Sequence, residues 1–102
     1  MLGDMMGNME EHQKALKEKL SKVSIEKEAG GGAVKVTIDG NKKITALHLN
    51  PDAMDWDDKE QVEDLVIIAV NQAIEEAEET AAAETQKLLQ DMLPPGFGNM
   101  FG

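Results

Sequence analysis

A chain of 102 residues with a net charge of −10 and no cysteine holds one domain at most, and disulfides, thiolate metal sites and cysteine nucleophiles are excluded. Its longest apolar run, LVIIAV at 65–70, is far short of the roughly 20 residues a membrane span needs. The N-terminus, with Asp4, Glu10 and Glu11, lacks the apolar core of a secretory signal, so a soluble cytoplasmic protein is expected.

The charge is unevenly placed. Residues 1–29 hold five lysines against six acids, residues 30–51 three lysines against Asp39, and residues 52–102 thirteen acids against Lys59 and Lys87. All the basic residues are lysine, which meets a phosphate as a point charge without arginine's bidentate fork. An anionic partner therefore has to avoid the C-terminal half.

Residues 5–21 read as a helix, with Met5, Met9, Leu16 and Leu20 on one narrow face and His12 at its edge. Glu10–Lys14 and Glu18–Lys22 are i,i+4 pairs in the favourable order. From about residue 22 the period changes to that of a strand, with Val23 and Ile25 alternating with Ser24 and Glu26. Gly30, Gly31 and Gly32 free the backbone for a turn with positive φ. Val34, Val36 and Ile38 then alternate with Lys35, Thr37 and Asp39 as a strand with one buried face. Gly40-Asn41 marks a hairpin whose centre needs positive φ. The next strand covers 43–49, with Leu47 and Leu49 inward and His48 outward, and Pro51 ends it. Residues 22–49 thus form a three-stranded antiparallel meander.

A long helix starts at Asp57 or Asp58 and meets no glycine or proline before Pro94. On a helical projection Val62, Leu65, Val66, Ile67, Ala69, Val70, Ala73 and Ile74 cover roughly 200°, more than one sheet can cover. At about 1.5 Å per residue the helix exceeds about 45 Å, so part of it leaves the monomer's body. A homodimer follows, with Val66, Ile67, Val70 and Ile74 at its interface. The single domain is 1–92; residues 93–102, LPPGFGNMFG, form a Pro/Gly-punctuated tail with Phe97, Met100 and Phe101, expected to be mobile.

No catalytic constellation is present in the sequence. His12 and His48 sit on different elements with no third ligand or nucleophile, His12 reading as half-buried and structural. The glycine run matches no phosphate-binding motif. DAMDWDD at 52–58 fails as a calcium loop, because Lys59 stands where an oxygen ligand is required and the turn glycine is missing. Trp56 is expected to be a packing anchor. No metal, cofactor or enzymatic activity is expected.

AGGGAVKVTIDGN, followed by Leu-x-Leu-Asn-Pro at 47–51, Asp-Lys-Glu at 58–60, Glu-Asp-Leu-Val at 63–66, Asn71, Ala73 and Leu-Pro-Pro-Gly-Phe at 93–97, resembles the YbaB/EbfC family of bacterial nucleoid-associated proteins. The resemblance runs in order over nearly the whole chain. It implies an α+β fold of N-terminal helix, three-stranded sheet and long C-terminal helical region, assembled as a tweezer-like homodimer in the nucleoid. It also implies binding of duplex DNA with little sequence specificity through the first and the C-terminal helices. In this chain the first helix offers Lys14, Lys17, Lys19 and Lys22, whereas the C-terminal helix offers Lys87 among many acids. Lys17 and Lys19 have no glutamate four residues ahead and are expected to be the effective pair, with Lys14 and Lys22 partly neutralised. The hairpin lysines Lys35, Lys42 and Lys43 are the next candidates. The alternative reading is a dimeric acidic adaptor that binds a protein partner through its long helix or tail.

Overall fold

The computed structural model describes residues 2–92, with side chains from residue 9 to residue 91; the side chain of Met5 and the tail at 93–102 lie outside the described residues. Five main elements follow one another: helix α1 (Leu2–Ser21), strands β1 (Ile25–Ala29), β2 (Val34–Ile38) and β3 (Ile44–Leu49), and helix α2 (Lys59–Met92). The sheet is an antiparallel meander in the order β1-β2-β3, and α2 lies across β1 and β2. This is the α+β arrangement expected from the periodicity.

α1 begins earlier than the apolar pattern suggests, because Gly3 and Gly7 weaken a helix without breaking it. Val23 is not in a strand. Lys22 and Val23 donate to the carbonyls of Lys19 and Leu20 at 3.2 Å, closing the last turn of α1 before β1 can start.

The β1–β2 connection uses Gly30, Gly31 and Gly32 at φ of 66°, 64° and 92°. At the β2–β3 connection the positive φ falls on Lys42, at 67°, and not on Gly40-Asn41. The amide of Asp39 donates to the Lys43 carbonyl at 2.9 Å and that of Lys42 to the Asp39 carbonyl at 3.2 Å. This is a three-residue loop closed by a left-handed residue. Asp39, buried in the hairpin, accepts from the amides of Asn41 and Lys43 at 2.8 and 2.9 Å through Oδ1, which holds the loop in shape.

The core is formed by Val34, Val36 and Ile38 of β2 and Ala29 of β1 against Ala69, Ala73 and Ala77 of α2. Alanine on the helix side lets the backbone approach the branched residues of the sheet closely. Val66, Val70 and Ile74 are only partly buried against this core, and Ile67 remains 56% exposed.

β3 has no such cover. Leu49 and Leu47 pair with Val34 and Val36 on the inner face, and an irregularity between Thr37 and Ile38 sets Ile44, rather than Thr45, opposite Ile38. Yet Leu47 is 50% and Ile44 43% exposed, because α2 stops at β2. Trp56, expected to anchor packing, is 50% exposed in the link before α2, outside the contact between helix and sheet. The aspartates of that link serve the backbone: Asp55 accepts from the Asp57 amide and Asp58 caps α2 by accepting from the Gln61 amide, both at 3.1 Å.

With 34 residues, α2 is about 51 Å long and runs well past the sheet. Its outer half and α1 pair as an antiparallel arm, and the molecule measures 63 × 31 × 18 Å.

Candidate nucleic-acid interface

The lysines of α1 are placed by the way that helix ends. A helix leaves its last carbonyls without intrahelical partners, and here the hairpin supplies several. The Gly40 amide donates to the Leu20 carbonyl at 2.8 Å, and Asn41 Nδ2 donates to the Lys17 carbonyl at 2.9 Å. Ser21 Oγ donates to the Glu18 carbonyl at 2.6 Å. A Cβ at position 40 would lie 2.9 Å from the Leu20 carbonyl oxygen and 2.8 Å from its Cδ2. Glycine is therefore required there for close approach, even though its φ is ordinary. The β2–β3 hairpin clamps the C-terminus of α1, and Leu20 is buried at the joint.

Lys14, Lys17, Lys19 and Lys22 are all exposed on or just after α1. Their expected order of availability is altered by the fold. Lys19 has no acid four residues ahead on its own helix, but its Nζ lies 2.7 Å from Glu84 Oε2 on α2. Lys14 and Lys22 have glutamates at i−4, yet neither forms an ion pair within 4 Å among the described residues, and neither does Lys17. The side-chain hydrogen bond from Lys19 holds the Glu84 carboxyl below its ordinary range, with the charges of Lys19 and Lys87 adding to it and partial desolvation opposing it.

The hairpin lysines separate too. Lys35 is bound to Glu28 at 3.3 Å and Glu26 at 3.7 Å on the neighbouring strand. Lys42 reaches Glu78 of α2 at 3.7 Å across an exposed gap, while Lys43 is exposed and has no ion pair among the described residues. Lys27 is paired with Glu76 at 3.2 Å. Unpaired basic charge is thus concentrated where α1 meets the hairpin, while the mid-helix glutamates of α2 face other lysines or solvent.

Between the arm helices runs an open groove lined by Met9, His12, Leu16, Thr85, Leu88 and Leu89. His12 is exposed at its edge rather than half-buried, because the groove is unfilled there. No group of three or more His, Cys, Asp or Glu side chains able to hold a metal occurs among the described residues. None of the described helices is long and apolar enough to cross a membrane.

The clamp itself has no local signature in the sequence. Gly40-Asn41 was readable as a turn, but nothing local signals that its amide and side chain serve a helix twenty residues earlier.

A model of the YbaB/EbfC DNA-binding family matches residues 1–92. A nucleoid-associated protein of Thermoanaerobacter pseudethanolicus is 43% identical over 88 residues, covering 86% of this chain and 79% of the relative. One from Chlorobium phaeobacteroides is 42% identical over 97 residues, covering 92% and 86%, and one from Acinetobacter baumannii 39% identical over 98 residues, covering 95% and 89%. The crystal structure of an uncharacterized protein from Helicobacter pylori shares the fold with a TM-score of 0.76 at 24% identity, covering 86% of this chain and 92% of that one.

Proposed function

This chain belongs to the YbaB/EbfC DNA-binding family, whose relatives are nucleoid-associated proteins, and from that premise we propose how it engages DNA. It binds duplex DNA as a homodimer, with little sequence specificity, through the lysines of α1. The observation that carries this reading is the exposed, unpaired state of Lys14, Lys17 and Lys22 on a helix end that the hairpin fixes in place. Lys19 contributes less, since a phosphate would have to displace Glu84.

The net charge of −10 per chain does not forbid this. At physiological salt the Debye length is about 8 Å, so the distant acids of α2 are screened and the local patch decides. With no arginine in the chain, these lysines meet phosphates as point charges, and such contacts discriminate sequence weakly.

Support for the homodimer comes from the uncovered apolar surface. Ile44 and Leu47 on the inner face of β3, and Ile67 on α2, are each more than two-fifths exposed. A radius of gyration of 19.1 Å, against about 13 Å for a compact domain of this size, fits an arm that leaves the body of the single chain.

Gel-shift titration of a duplex of about 200 base pairs against salt tests the reading: Lys14, Lys17 and Lys22 from two protomers are six phosphate contacts, so α1 contributes about −5 to the log–log slope. Lys17→Glu with Lys22→Glu abolishes the shift while the circular dichroism and melting curve stay those of the wild type. Absence of any wild-type shift at low salt overturns DNA binding and leaves the acidic adaptor as the better reading.

A further inference from the structure

We infer that the tip of the β2–β3 hairpin is a second phosphate-contacting element, continuous with α1, and that Lys43 is its principal contact. The inference rests on the DNA-binding reading above and adds an element that the first helix alone does not supply.

Position is the first argument. Asn41 bonds the carbonyl of Lys17 and Gly40 bonds that of Leu20, so the hairpin and the lysine-bearing end of α1 form one corner. Lys43 follows Asn41 by two residues, and its own amide is fixed by Asp39 Oδ1 at 2.9 Å. Lys43 thus sits on the loop that touches the lysine-bearing last turns of α1. The clamp sets the register between the two elements before DNA arrives, so binding need not order the loop.

Charge is the second argument. Segment 17–22 carries three lysines against Glu18, and segment 39–43 carries Lys42 and Lys43 against Asp39. Asp39 is buried, and one of its carboxylate oxygens is committed to two backbone amides, which reduces the negative field at the surface. Lys43 has no carboxylate within 4 Å among the described residues. Lys42 is tied to Glu78, but at 3.7 Å with both side chains more than half exposed, and such a pair exchanges readily for a phosphate. Lys35, at the opposite end of β2, is held by two glutamates and stays outside the site.

Lys43→Gln tests this against Lys59→Gln, which removes the same charge from an exposed, unpaired lysine at the start of α2. Counterion release predicts that Lys43→Gln lowers the magnitude of the salt slope by about one for each protomer engaged, and that binding at 0.15 M salt weakens about fivefold for each lysine neutralised. Lys59→Gln leaves slope and affinity unchanged. Equal losses in both variants would mean a net-charge effect and overturn the inference, as would an unchanged slope in Lys43→Gln. If the wild type binds and Lys17→Gln weakens it while Lys43→Gln does not, the hairpin assignment fails and DNA binding through α1 stands. If the wild type does not bind, both fail. Unchanged melting of Lys43→Gln shows that the weaker binding comes from the missing charge and not from a disturbed fold.

Discussion

Along its inner half α2 lies on the sheet through Ala69, Ala73 and Ala77, each fully buried against Val34, Val36 and Ile38. Along its outer half it meets α1 through half-buried Leu16 and Leu88 and one ion pair, Lys19–Glu84. One helix therefore belongs to two regions of different stability, a close-packed sheet half and a loosely tied arm. Burial without voids is cooperative and intolerant of change, whereas an exposed ion pair and a shallow apolar contact open locally at small cost. The candidate DNA surface lies at the junction, rigid where the hairpin clamps α1 and compliant beyond it.

Core truncation breaks the comparison most directly. Ile38→Ala removes a fully buried side chain from the sheet half and is expected to cost about 2–5 kcal/mol in urea unfolding. A cost below about 1 kcal/mol would mean that the alanine stripe is not closely packed. Ile67→Glu comes next. Ile67 is exposed in the single chain, so the charge harms the monomer little but opposes association, and light scattering is expected to show a folded monomer where the wild type is a dimer. Val70 and Ile74 are poorer probes, since both pack partly on the chain's own core. Wild-type mass equal to one chain at micromolar concentration would remove the homodimer.

Gly40→Ala addresses the junction. Its new Cβ meets the backbone oxygen and side chain of Leu20, and displacing the last turn of α1 is expected to cost about 1–3 kcal/mol. Amide exchange at residues 17–22 should accelerate more than exchange in β2. Uniform acceleration through the sheet would show that the hairpin clamp and the core are one cooperative unit.

Periodicity made the elements readable. Val34, Val36 and Ile38 announce a half-buried strand, and the wide apolar arc of α2 announces a helix with more than one partner surface. It failed where a long-range contact decides a local feature. The left-handed residue of the hairpin is Lys42 because Asp39 and the Gly40–Leu20 contact fix the loop, and no pattern within the loop encodes that contact. For the site, Lys14, Lys17 and Lys22 were legible as exposed charges on one helix. Their ranking was not, because the partner of Lys19 is sixty-five residues away on α2. Helical i,i+4 rules describe an isolated helix, and tertiary contact replaced them.

The smallest effect belongs to the arm and depends on pH. Glu84 titrates lower in the folded chain than its ordinary value of 4.5, chiefly through the hydrogen bond from Lys19. A depressed carboxyl stabilises the state in which it is depressed: the contribution is fully present above pH 4.5 and is lost as pH falls through the folded-state value. The other charged or titratable groups lining this part of the arm, His12, Lys87 and Asp91, leave Lys19–Glu84 as the one ion pair across the gap among the described residues. Because the chain has no cysteine, spin labels at Met9→Cys and Leu89→Cys, both exposed positions near the arm's end, report the separation of α1 and α2 cleanly. Labelled protein diluted into unlabelled protein should give a narrow distance distribution at neutral pH that broadens below pH 4.5, while far-UV circular dichroism stays constant. Glu84→Gln should show the broad distribution already at neutral pH and lose the pH dependence. A distribution that stays narrow in Glu84→Gln would mean that Leu16 and Leu88 alone hold the arm closed, and the distinction between its fastening and that of the sheet half would then be one of area rather than of kind.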